Sequence, residues 1–183
     1  MPVILISEPE EEPLSLADAK LFLRVEHDAE DALITNLVRA ARRHVETQTG
    51  RRLVTQIWRL VLDAWPLDGV IAFPVAPVAE LEGARLRGPD GSAHELDLSG
   101  WTFDAASARV HVAHRPRLLR PFAGIEVDVT AGYGAAVEVP PVFTQAIRLL
   151  VGHWYEHRAE AVTRASMPLA AAALMAPERA LRL

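Results

Sequence analysis

The segment His153-Trp154-Tyr155-Glu156-His157 has the sharpest chemical potential in the chain. It follows the H-x-x-E-H order of inverted zinc peptidases: on a helix, His153 and His157 would share one face a turn apart, both imidazoles could bind zinc, and Glu156 could act as general base on a metal-bound water. The third ligand would have to come from further along, where Glu160 and Glu178 are the only carboxylates. Three specified positions make a permissive motif. The competing reading, which we adopt, packs His153 beside Trp154 and leaves Glu156 and His157 facing solvent or a neighbouring subunit.

Other chemistry fares less well. His94, His111 and His114 could form a three-histidine site only if separate strands converged, and two strand residues at i and i+3 point to opposite faces, so surface roles are expected. None of Ser7, Ser15, Ser92, Ser99, Ser107 or Ser166 sits in a nucleophile elbow, and Gly132-Tyr133-Gly134 lacks the lysine and glycine spacing of a phosphate loop. That triplet reads as a turn closing a strand. There is no cysteine, which removes disulfides and thiolate chemistry. The sequence therefore assigns no catalytic, cofactor-binding or metal-binding residue, and no enzyme is expected.

Arg39, Arg42, Arg43, Arg51 and Arg52 form the main basic cluster. They would suit either a DNA phosphate contact or the negative end of a helix dipole, and the dipole reading is adopted. A formal net charge of -5 argues against a protein whose main task is gripping nucleic acid.

With 183 residues, 50% hydrophobic and 23% charged, the chain can fold around a sizeable core. The opening MPVILISEPEEEP lacks a signal peptide's features and no stretch suits a membrane span, so a soluble intracellular product is expected. Glu8 to Glu12, with Pro9 and Pro13, reads as a solvated arm. Ser15 with Asp18 starts a capping pattern for a helix over Leu16 to Leu23. Asp28 is the candidate N-cap of a second helix, in which Leu33, Ile34, Leu37, Val38, Ala41 and Val45 recur at helical spacing before Gly50 stops it.

From Leu53 to Gly134 the period changes to two. Trp58, Leu60 and Leu62 alternate with Arg59, Val61 and Asp63, and further strands are expected at Val70 to Phe73, Ala84 to Arg87, Ala93 to Leu98, Trp101 to Phe103, Arg109 to Val112 and Ile125 to Thr130. Pro89-Asp90-Gly91 supplies a hairpin connection. After Pro140 and Pro141 helical spacing returns with Phe143, Ile147, Leu150 and Trp154, then an alanine-rich helix over Leu169 to Met175 and a short amphipathic tail.

The expected fold is α+β: mainly a bundle of about four helices with an inserted small antiparallel β lobe. Its parts are an N-terminal arm over 1–14, the bundle over 15–52 and 135–166, the β lobe over 53–134, and a C-terminal helix and tail over 167–183.

The order of these pieces resembles the head-tail connector, or adaptor, proteins of tailed phages and of phage-like gene transfer agents. The residues that carry the resemblance are Pro13 to Lys20 with Leu23-Arg24-Val25, His27 to Ile34, Thr49-Gly50-Arg51 leading into Gln56 to Leu60, Thr130 to Gly134 with Val139-Pro140, and Gln145 to Glu156. The resemblance runs from about Pro13 to the tail and varies most between Ala64 and Phe122.

It implies a structural ring, expected to be dodecameric, beneath the portal protein of a particle neck, assembled in the bacterial cytoplasm. A stopper or tail-completion protein would bind the opposite side, and DNA would pass through the lumen without specific binding or any membrane contact. Leu169, Leu174, Met175, Arg179, Leu181, Arg182 and Leu183 become the candidate portal-binding residues. A zinc hydrolase built on His153, Glu156 and His157, and a small DNA-binding module built on the arginine cluster, are the alternatives.

Overall fold

A computed structural model of the chain describes residues 2–157 and 167–179. Two compact units share them: Glu10–Val54 with Tyr133–Leu183, and Met1–Pro9 with Thr55–Gly132.

The first unit is helical. Ser15 Oγ accepts from the Asp18 backbone N–H at 3.1 Å and so caps α1 (Leu16–Leu23), which ends where Arg24 turns left-handed at φ 60°. The helix α2 (Asp31–Thr49) begins without the cap the sequence suggests: Glu30 holds the N-cap position and makes no capping bond, its carboxylate accepting instead from the Tyr155 hydroxyl, while Asp28 and Asp31 both accept from Lys20 Nζ, at 2.6 and 2.7 Å. Lys20 of α1 thus pairs with Asp28, the expected cap, and with Asp31 in the first turn of α2. Gly50, at φ 72°, closes α2 as expected.

The helix α3 (Pro141–Glu156) starts on proline, whose missing N–H costs nothing in a first turn, and α4 (Leu169–Met175) follows. Ile34, Val38, Ala41 and Val45 of α2 meet Phe143, Ile147 and Leu150 of α3 and Ala171 and Met175 of α4 in one core, each large side chain contributing about 1.5–3 kcal/mol by burial. Gly152 lets α1 come close: a Cβ there would stand 3.0 Å from the Phe22 ring.

The second unit is made of strands β1 (Val3–Ser7), β2 (Gln56–Leu62), β3 (Val70–Ala72), β4 (Val78–Arg87), β5 (Ala93–Glu95), β6 (Trp101–Asp104), β7 (Arg109–Val112) and β8 (Ile125–Ala131). They form an antiparallel five-stranded sheet, β1-β2-β8-β4-β5, and a three-stranded sheet, β3-β7-β6. Both sheets contribute to one core. Leu60, Ala84, Leu86, Ile125, Val127 and Val129 come from the larger sheet and Ile71, Val110 and Val112 from the smaller.

Two expectations change. Val3–Ser7, placed in an arm by the sequence pattern, is an edge strand, because Val3, Ile4 and Leu5 find partners in Leu60, Arg59 and Trp58 far along the chain. Strand residues are nearly as common as helical ones, so the fold is α+β without the expected helical predominance. Much of the difference lies in β4, which starts at Val78 through an acid-rich stretch without strand propensity, where pairing with β8 overrides local preference.

Candidate functional site

The proposed portal-binding residues divide. On α4, Ala171 and Met175 turn inward, Met175 being 1% exposed, and Leu174 packs against the same core. Leu169 points outward at 89% exposed, and Arg179 is exposed beyond the 3₁₀ turn Ala176–Glu178. Met175 anchors the helix and is closed to a partner in this conformation, since a seven-residue helix needs some apolar side chain in the core to stay in place. Leu181, Arg182 and Leu183 lie outside the described residues. The end of this segment is tied back by Arg51, whose Nε donates to the Glu178 carbonyl at 3.2 Å.

His153, in the last turn of α3, and His157, the residue that caps its end, lie side by side, their ring centroids 4.4 Å apart and planes 34° apart. His157 Nδ1 lies 2.8 Å from the His153 carbonyl oxygen. His153 is half-buried, whereas Glu156 and His157 are exposed. Among the described residues no three His, Asp or Glu side chains gather where they could hold a metal, and Glu160 lies outside them. His94 contacts Ser92 Oγ at 3.1 Å on β5, while His111 sits on β7 in the other sheet.

The arginine cluster is largely spent on the protein itself. Arg42, 2% exposed, binds Glu12 through Nε at 2.7 Å and Glu46 through Nη1 at 3.1 Å. Burial alone would lower its pKa, but hydrogen bonding and attraction from Glu12 and Glu46 outweigh it and raise the value. Glu46 also accepts the Leu53 backbone N–H at 3.0 Å, so it ties the helix to the chain leaving it. Arg52 donates to the carbonyls of Glu46 and Arg51. Contrary to the dipole reading, no basic residue occupies the last turn of α2.

Sequence reasoning missed a lattice of ion pairs on the outer face of the larger sheet. Arg59 on β2 grips Asp128 on β8 with Nε and Nη2 at 2.7 and 2.8 Å, Arg87 Nε lies 2.8 Å from Glu126 Oε1, and Arg85 bridges both carboxylates. Antiparallel register creates it by setting Arg59 opposite Asp128 and Arg85 opposite Glu126. Glu126 and Asp128 are each only 8% exposed although they point away from the core. The alternation of β8 was the available signal, but the partners depend on register.

Several large apolar side chains point outward. In the helical unit Leu21, Val137 and Leu169 are 79%, 91% and 89% exposed, and in the β unit Leu67 and Phe122 are 99% and 75% exposed. Such positions become favourable contacts when another surface covers them. Among the described residues no helix is long and apolar enough to cross a membrane.

Comparison with known proteins points the same way. Residues 13–79 match the family of phage gp6-like head-tail connector proteins. A chain in the neck of an empty gene transfer agent particle computed with C6 symmetry is 29% identical, with all of this chain and 97% of that one covered at a TM-score of 0.83. A chain of the native gene transfer agent virion gives 29% identity and a TM-score of 0.82 over the same coverage. In the native neck computed with C12 symmetry the values are 28% and 0.81. No curated protein sequence matches significantly. The chain is thus similar to head-tail connector proteins over residues 13–79 and, over its whole length, to a chain found in gene transfer agent particle necks.

Proposed function

We propose that the chain is one subunit of a ring, expected to be a dodecamer, that docks beneath the portal protein in the neck of a tailed phage or gene transfer agent particle. The observation that carries this reading is its end-to-end similarity to a chain of particle necks computed with C6 and C12 symmetry. A ring needs two different complementary faces on each subunit. The helical bundle is then the main body of the subunit and the β unit an insertion into it. Leu169, Leu174 and Arg179, with the tail that follows, form the portal contact while Met175 holds the helix in place.

A stopper or tail-completion protein takes the opposite side of the ring, and DNA passes through the channel. The subunit assembles in the bacterial cytoplasm and performs no catalysis. Electron microscopy of the purified chain mixed with its portal protein tests this. Closed rings seated on the portal are expected, and a chain that stays monomeric and leaves the portal bare would overturn the reading.

A further inference from the structure

Between Asp104 and Glu126 the sequence has no acidic residue, and it carries Arg109, Arg115, Arg117 and Arg120 with His111 and His114. A positive block inside a chain of net charge -5 is a sharp local asymmetry, and such asymmetry marks contact with an anionic partner.

The structure gives this block a definite shape. Residues 113–124 form an irregular loop that is pinned at several points. Trp65 Nε1 donates to the Pro116 carbonyl at 2.8 Å, Arg115 Nη1 donates to the carbonyls of Pro66 and Leu67 at 2.9 and 2.8 Å, and the Ala123 N–H donates to Asp63 at 2.7 Å. Arg120 donates to the Ala123 carbonyl. The acids nearby are engaged: Asp63 with Ala123, Asp68 with the Val70 N–H, Asp97 with Ser99, and Asp104 with Ser107 and opposite Arg109 in the β6–β7 register. Among the described residues no carboxylate pairs with Arg115, Arg117 or Arg120. Arg115 and Arg117 are exposed, and Arg117 makes no polar contact among the described residues.

We infer that the loop 113–124 is a contact surface for the phosphate backbone of duplex DNA. Guanidinium groups match phosphate oxygens in pairs and stay charged at any working pH. An extended chain advances at most about 3.3–3.6 Å per residue, so Arg115, Arg117 and Arg120 span up to roughly 17 Å. Each DNA strand places a phosphate about every 3.4 Å along the axis, so three arginines on that span can reach successive phosphates without reading bases. Carbonyl bonds that orient Arg115 and Arg120 lower the ordering cost of binding. The inference rests on the connector reading, which puts DNA in the channel, and it names the surface that would touch it.

The test is fluorescence anisotropy of a labelled duplex with the full chain as salt is varied. Weak binding with a log-log salt slope of about -2.7 is expected for three phosphate contacts. Arg117→Ala should weaken binding severalfold and reduce the slope by about one, while Arg39→Ala, an equal loss of charge at a 51% exposed site, should change neither. Absence of duplex binding at low salt, equal losses in both variants, or tighter binding to polyglutamate than to DNA would each overturn the inference. Ring formation on the portal, followed separately by microscopy with Arg117→Ala, tells failure here from failure of the connector reading.

Discussion

Arg42 and Glu12, thirty residues apart in the chain, form an ion pair with Nε 2.7 Å from Oε2 on the inner side of α2. Arg42 is 2% exposed and its second partner Glu46 is 6% exposed at the side chain, so the acidic stretch before α1 is fastened to the bundle rather than left in solvent. Removing one member of a buried pair leaves an uncompensated charge, which costs about 3–5 kcal/mol.

Arg42→Ala is therefore expected to lower unfolding free energy by about 3–5 kcal/mol in urea melts. Arg39, 51% exposed and 3.8 Å from the same Glu12, supplies the contrast, and its alanine variant should cost under about 1 kcal/mol. Equal costs at the two sites would mean that burial of the Arg42 pair has no special weight.

The edge strand gives a second expectation. β1 covers the free edge of β2, and Ile4 and Ile6 are 47% and 46% exposed on it. Deleting residues 2–7 would uncover the unpaired backbone of β2 beside Trp58 and Leu60, a template for pairing with other chains. Light scattering after size exclusion should show association in the truncated chain. A monodisperse product with an unchanged melting temperature would show that β1 protects nothing.

Local signals carried most of the fold into the sequence. Ser15 with Asp18, Gly50, the Pro140-Pro141 start and the two-residue alternation of β8 each act within a turn of helix or a few strand residues, so they could be read without knowing the rest. What was illegible depends on distance along the chain. β1 needs β2, Arg42 needs Glu12, Arg59 needs Asp128, and Asp28 could be read as a cap only until Lys20 was seen to hold it. The candidate site was half legible for a similar reason. Over seven residues, periodicity places Leu169 and Met175 on a helix but does not say which side meets the core.

His44 predicts a pH dependence. Its Nε2 is buried without a hydrogen-bond partner and its ring meets Trp154 edge-on at 5.7 Å, and burial lowers its pKa from the usual 6.5. A histidine whose folded pKa is depressed binds fewer protons when folded, so stability is full above the unfolded pKa and falls as pH drops from about 6.5 towards the folded value. Denaturation midpoints should decline across that window, and His44→Gln should flatten the decline. Asp28, Asp90, Asp97 and Asp104, whose pKa values are lowered by their hydrogen bonds, act only in more acidic solution. An unchanged slope in His44→Gln would assign the effect elsewhere.

The two faces of α4 let folding and the proposed attachment be tested separately. Met175, 1% exposed among Ala171 and the α2 and α3 side chains, should cost about 2–5 kcal/mol when cut to alanine, because the bundle cannot fully close the space. Leu169, 89% exposed, has little to lose in the isolated chain, so Leu169→Asp should melt at the wild-type temperature. If the outward face of α4 meets the portal, that same substitution buries a charge in an apolar contact and should abolish co-sedimentation with portal rings, with Arg179→Glu weakening it. Folded Leu169→Asp protein that still joins the portal as wild type does would move the contact off this helix.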